Sequence, residues 1–273
     1  FGNARPFGAT VDMGVHEFQG VASGCPAQGT VWYVDAANTN CQLGTSWACA
    51  FQNVQDAINA ASSGHEIWVK AGTYLPTKDP FGNPSPDDPR DKTFYLKNGV
   101  KIYGGFAGTE TMLSERNWTA NVTTLSGDLG TTGDNVDNAY HVVLSVNDGN
   151  TTVLDGFTVE KGNTNGTGSI TVEFSTIGRT SGGGLHGHNS SIAVSNCQFS
   201  GNEAVNGGGG ARHVLGVATY TNCLFLNNTV LGSGGGISTN SCSLILTNCT
   251  FSGNMASDGG GIAIFNASPQ ISR

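Results

Sequence analysis

Gly208-Gly209-Gly210-Ala211, followed by Asn222-Cys223-Leu224-Phe225 and then Asn228, decides the fold because it is one member of a series. Gly182-Gly183-Gly184-Leu185 precedes it, and Gly234-Gly235-Gly236-Ile237 and Gly259-Gly260-Gly261-Ile262 follow, so the triplets begin 26, 26 and 25 residues apart. The second marker keeps step: Asn196-Cys197-Gln198-Phe199 and Asn248-Cys249-Thr250-Phe251 flank the middle copy at 26 and 26 residues. Each Phe is followed three residues later by Asn202, Asn228 or Asn254. Two markers in phase identify a repeat architecture, in which each unit buries its apolar face only by stacking on its neighbours.

Alternation inside the repeat says what the unit is. Ile192 and Val194, Ala218 and Tyr220, and Leu244 and Leu246 occupy alternate positions, as a strand with one buried face requires. Parity then switches, because Cys197/Phe199, Cys223/Phe225 and Cys249/Phe251 sit on odd positions. The chain must therefore bend at Asn196, Asn222 and Asn248, where Asn tolerates the left-handed backbone of a sharp corner. A third strand begins after each Gly triplet. Three strands and three corners per repeat predict a parallel β-solenoid of about 26 residues per coil, stacked at ~4.8 Å. The predicted core holds a Phe199/Phe225/Phe251 column, each ring contributing roughly 1.5–3 kcal/mol on burial, beside a Cys197/Cys223/Cys249 column. Asn196, Asn222 and Asn248 are placed to bond amide to amide at the corner.

Outward from residues 180–273 the period loosens. Strand-like segments persist at Glu66 to Val69, Phe94 to Leu96, Val100 to Tyr103, His141 to Val146 and Val153 to Val159, which predict earlier coils with longer loops. Phe51, Val54, Ala57, Ile58 and Ala61 fall at helical spacing, predicting a short helix over 51–61 that caps the open end of the solenoid.

Composition agrees. Of 273 residues, 41 are Gly and only 12% are charged, which leaves no surface for Lys/Glu-rich helices and excludes a coiled coil or helical bundle. The net charge of −8, with no basic cluster, argues against nucleic acid as a partner. No apolar run approaches the roughly 20 residues of a membrane-spanning helix, so no membrane insertion is expected. The chain begins at Phe1 and shows no signal-peptide pattern, as a processed product or a window of a longer chain would.

Seven cysteines form two sets. Cys25, Cys41 and Cys49 stand near the start, where Cys41 and Cys49 bracket a Gly- and Ser-containing turn and could close a short disulfide loop. The column cysteines read as inert buried thiols, Cys242 as a cross-linking or free thiol, and no pair has zinc-ligand spacing.

The Gly-Gly-Ile and Phe-x-x-Asn tetrapeptides resemble those of the polymorphic outer membrane proteins. Residues 30–272 resemble right-handed parallel β-helix proteins secreted by Gram-negative bacteria, a fold shared with pectate lyases. The upstream half carries this resemblance in Trp32-Tyr33-Val34-Asp35, Ala71-Gly72-Thr73-Tyr74, Tyr103-Gly104-Gly105-Phe106 and Leu154-Asp155-Gly156-Phe157. It implies an all-β, three-sheet, right-handed parallel β-helix in a secreted or cell-surface protein. Residues 1–29 form a separate segment: Val11 to Phe18 resembles the closing piece of a preceding β-helix, while 30–273 is the β-helix itself. One expectation is therefore head-to-tail self-association, or a neighbouring β-helix domain in a longer chain, in which such a segment completes the preceding solenoid; the other is a boundary cut from something larger.

Residues carrying chemistry are sparse. Paired carboxylates for glycoside hydrolysis would have to come from Asp128, Asp134, Asp137, Asp148 and Asp155, and Asp155 sits in a strand typical of non-catalytic coils. His186, His188, His213 and Arg212 could line a sugar groove. Asp128, Asp134 and Asp137, gathered with Asn135 and Asn138 in one loop, form a candidate calcium site by their hard-oxygen chemistry; no other cofactor is indicated. The expectation drawn is a chain that is not an enzyme, serving as adhesin, stalk or filament subunit and contacting glycans or surface proteins through its repetitive face. The alternative is a polysaccharide lyase or glycoside hydrolase acting on an extracellular glycan. A passenger fragment of an autotransporter-like protein is a third reading.

Overall fold

A computed structural model describes residues 30–273, which wind as a right-handed parallel β-helix. The segment 1–29, with Cys25 and the resemblance at Val11 to Phe18, lies outside the described residues. Pairing between coils is parallel throughout the described strands. One hairpin, Ser169–Val172 against Ser175–Gly178, is antiparallel.

The largest sheet climbs through Val31–Val34, Glu66–Lys70, Lys101–Phe106 and Val153–Asp155 into Leu185–Ser195 and Ala211–Thr221. A second sheet stacks Gly72–Tyr74, Thr123–Ser126, Thr158–Glu160, Gln198–Ser200, Leu224–Leu226 and Thr250–Ser252. The third is narrow, built from Asn163–Thr164, Glu203–Ala204 and Thr229–Val230.

Register places Phe199 opposite Phe225 and Phe225 opposite Phe251. Their rings stack at 4.9 and 4.8 Å between centroids, each pair tilted by 5°. Tyr220 meets Phe225 edge-on at 5.4 Å, so the column is an offset aromatic stack with a T-shaped neighbour. Cys197 and Cys223 are buried beside it, Cys249 is half-buried, and all three are free thiols, as is buried Cys242.

Corners are more numerous than the sequence repeat predicts. Asn196, Asn222 and Asn248 do turn the chain, at φ 53°, 54° and 52°. A further left-handed column, Asn189, Leu215, Ser241 and Asn266 (φ 49° to 63°), bends the long strands so that one sheet covers two faces. Another lies at Gly201, Asn227 and Gly253. A single left-handed residue turns a strand without ending its pairing, so these corners need no one residue type, and neither column keeps one throughout.

Asparagine forms two ladders. At the outer corner Asn248 Nδ2 donates to Asn222 Oδ1 at 2.7 Å, Asn222 to Asn196 at 3.3 Å, and Asn196 to Asp155 Oδ1 at 2.9 Å. The second ladder runs inside, where Asn202 Nδ2 donates to Asn228 Oδ1 and Asn228 to Asn254 at 3.0 and 2.9 Å. Asn228 also donates to the Phe199 carbonyl, so the amide satisfies buried backbone on the coil below.

Upstream, the helix Val54–Ala60 lies within the predicted span and packs Val54, Ala57 and Ile58 into the common core. It starts late because Phe51 first bridges to Val34. A disulfide joins Cys41 and Cys49, whose Cα atoms are 4.7 Å apart. Among the described residues no helix is long and apolar enough to cross a membrane.

Candidate active site

The irregular coils carry the chemistry. The hairpin 169–178 lies on the outer face of Val143–Val146, packing Val172, Ile177 and Ile170 against Leu144, Val146 and Tyr95. Its tip is Glu173-Phe174, both left-handed at φ 45° and 65°. Such a two-residue turn suits the twist of paired strands but is normally made by Asn or Gly. Glu and Phe in these conformations cost free energy, and strain of that kind collects at functional sites. Phe174 is fully exposed.

Beneath the tip is a cleft of about 570 Å³ lined by Tyr95, Lys97, Asn98, Asp148, Glu173 and, at its rim, exposed Phe81. Asp148 reaches it because Asn147, left-handed at φ 54°, turns the chain just after Val143–Val146. The Asp148 side chain is nearly buried, and its Oδ2 accepts from Ser145 Oγ at 2.5 Å. Burial pushes its pKa up to about 6, the Glu173 charge adding to the effect. Glu173 is exposed, and its two oxygens accept from Tyr95 Oη at 2.8 Å and Asn147 Nδ2 at 3.2 Å. Burial first, and the Glu173 bond second, raise the Tyr95 phenol, so that it stays a proton donor. Lys97 spends its ammonium on the carbonyls of Asn59 and Ala61 at the end of the helix. Two acids therefore face one cleft in unlike surroundings, the arrangement that separates an acid from a base.

Other sequence candidates are placed elsewhere. In the loop 127–138 Asp128 accepts from Gly133 N, Asp134 from Val136 N and Asp137 from Thr131 N, so the carboxylates close turns of their own loop. Among the described residues no group of three or more His, Cys, Asp or Glu side chains is arranged to hold a metal, and the structure does not gather Asp128, Asp134 and Asp137 into one. His186 and His213 do not line a groove. The hairpin covers the outer face where His186 sits, its Nδ1 bonded to the Ser181 carbonyl, and His213 points into the core against Tyr220 Oη at 2.7 Å. Asp155 is paired with Arg116 at 2.8 Å, both largely buried. Sequence reading named Asp148 only as one acid of five and gave Tyr95 and Glu173 no role. The hairpin that presents Glu173 lacks the Asn-Gly signal that would have revealed it.

No protein-family model and no curated protein matches this chain. Two solved structures do. One is the pectin methylesterase PemA from Erwinia chrysanthemi, at 13% identity over 79% of this chain and 55% of that one, with a TM-score of 0.38. The other is a pectin methylesterase in complex with hexasaccharide VII, at 12% identity over 81% and 66%, with a TM-score of 0.39. The chain thus spans just over half the length of the first and about two thirds of the second. These likenesses concern the winding of the backbone. Against the expectation of a chain that is not an enzyme stand these two matches, both pectin methylesterases, a likeness of fold alone.

Proposed function

We propose that this β-helix hydrolyses an extracellular glycan in the cleft between Tyr95 and the hairpin tip, with Asp148 as general acid and Glu173 as general base. The observation that carries the reading is the pairing of a nearly buried carboxyl of raised pKa with an exposed carboxylate held by Tyr95 and Asn147. Asp148 gives its proton to the glycosidic oxygen as the bond to the anomeric carbon breaks. A water molecule attacks that carbon and Glu173 takes the water's proton. Lyase chemistry is disfavoured, because the cation that lines the cleft, Lys97, is engaged with the helix carbonyls of Asn59 and Ala61. The Cys41–Cys49 disulfide supports a secreted or cell-surface setting, where such bonds persist.

The test is release of reducing ends from pectin, polygalacturonate, galactan, arabinan and cellulose by the protein and by Asp148→Asn and Glu173→Gln. Either substitution is expected to lower the rate on the cleaved polymer by about 100-fold or more, and the wild-type rate should fall as pH rises through 6 and Asp148 loses its proton. Variants as active as the wild type, no reducing ends from any polymer, or methanol released from pectin without chain cleavage would each overturn the proposal.

A further inference from the structure

The outer asparagine ladder ends abruptly. In register, the position below Asn196 is Gly156, since Ser195 pairs with Asp155. Gly156 is left-handed at φ 83°, and a Cβ there would lie 2.8 Å from Arg116 Nη1 and 3.2 Å from Trp118 Cβ. The space where the next ladder amide would stand is thus taken by two side chains of the loop that follows Leu113–Glu115.

That loop is rigidly held. Asn117 N donates to the Gly105 carbonyl, and Asn117 Oδ1 accepts from Thr119 N, Thr119 Oγ1 and Ala120 N. Arg116 lies between Tyr103 and Trp118, 5.0 and 4.9 Å from their ring centroids, with its charge neutralised by Asp155. Trp118 is nonetheless 39% exposed. A large aromatic fixed in place by a buried ion pair and left open to solvent is a contact surface rather than a core residue.

Trp118 borders a groove of about 290 Å³ whose lining includes Thr119, Thr158, Asn196, Gln198, Asn222 and the exposed Leu224. The lining combines aromatic and aliphatic side chains, Val122 and Leu224 among them, with hydroxyls and amides, and no charged side chain lines it. Asn196 and Asn222 each spend one N–H and one oxygen lone pair along the ladder, leaving one donor and one acceptor apiece. Adjacent coils repeat that donor and acceptor pair at strand spacing, ~4.8 Å.

We propose that this groove is a binding site for an uncharged oligosaccharide, one sugar ring lying on Trp118 and its hydroxyls meeting the Asn196 and Asn222 amides. A polyol supplies both donors and acceptors to amides that need both, and its apolar ring face suits an indole. The adjoining Arg116 is already paired with Asp155, so an acidic sugar would find no free cation here. The groove lies at the corner between the first two sheets, away from the cleft of Asp148 and Glu173, so this site is separate from the catalytic reading.

The experiment is calorimetric titration of the whole chain with cellohexaose, mannohexaose and hexagalacturonate, repeated on Trp118→Ala, Leu224→Arg and Asp148→Asn. One neutral hexasaccharide is expected to bind, with affinity reduced tenfold or more by Trp118→Ala and by Leu224→Arg, and unchanged by Asp148→Asn. Leu224→Arg alters an exposed position and leaves the fold intact even if loss of Trp118 unsettles Arg116. Binding of neither neutral sugar, binding indifferent to Leu224→Arg, or preference for hexagalacturonate would overturn the proposal. So would sedimentation showing self-association that Leu224→Arg abolishes, because the groove would then be an interface between copies of the chain.

Discussion

Coils after residue 180 and coils before it share one core but differ in what they carry between strands. In the later coils the marker residues sit over their own kind: Phe on Phe, Asn on Asn, and Gly triplet on Gly triplet. Between residues 75 and 182 the same winding is interrupted by long loops and a hairpin, and Asp148, Glu173 and Trp118 all lie on or beside these. Periodicity thus supplies a stiff scaffold whose columns are self-satisfied. Chemistry enters where an insertion covers part of an outer face and leaves a polar group half enclosed.

If that division holds, the largest effect belongs to the centre of a column. Phe225→Ala removes the ring between Phe199 and Phe251 and should cost about 3–5 kcal/mol in urea unfolding. Phe174→Ala on the hairpin tip should change stability by less than about 0.5 kcal/mol, as for an exposed side chain. Equal losses would dissolve the contrast between scaffold and decoration.

The two asparagine ladders sharpen it within one residue type. Asn228→Ala strips a buried amide from the Phe199 carbonyl and from Asn202, and should cost about 1–3 kcal/mol. Asn222→Ala in the solvent-facing ladder should cost less than about 1 kcal/mol, because water replaces the lost partner. Denaturation midpoints of the two variants give the comparison directly.

The remaining effect is a slope against pH. Burial holds His141 and His213 neutral in the fold, lowering their pKa values to about 4 and about 3, so they bind protons more readily unfolded and the fold loses stability as pH drops below 6.5. Asp148 works in the opposite sense. Its folded pKa of about 6 exceeds the unfolded value of 3.8, so its contribution is fully present below 3.8 and is lost as pH rises through 6. Replacing Asp148 by Asn removes that opposing proton. Between pH 4 and 6 the acid loss of stability should then steepen by about 1.4 kcal/mol per pH unit, read from thermal midpoints across that window. An unchanged slope would mean that Asp148 is not held protonated by burial.

Residues 182–262 declare their coil because every turn must place an apolar side chain where the turn below placed one, and that constraint writes itself as period. The helix at Val54–Ala60 was legible for the same reason, through the spacing of Val54, Ala57, Ile58 and Ala61. The corners at Leu215 and Ser241 were not, since a left-handed residue is tolerated there without a recurring type. Nor was the candidate site. Glu173 and Asp148 stand 25 positions apart in a stretch without period, and they share a cleft only because a hairpin folds back onto a strand from the same coil. The sequence by itself determined the winding, the columns and the polarity of the surface, all consequences of burying like on like. Tertiary structure alone decided which acids meet, which histidines are buried and where an indole is left open, because these depend on how an unrepeated loop happens to cover a repeated face.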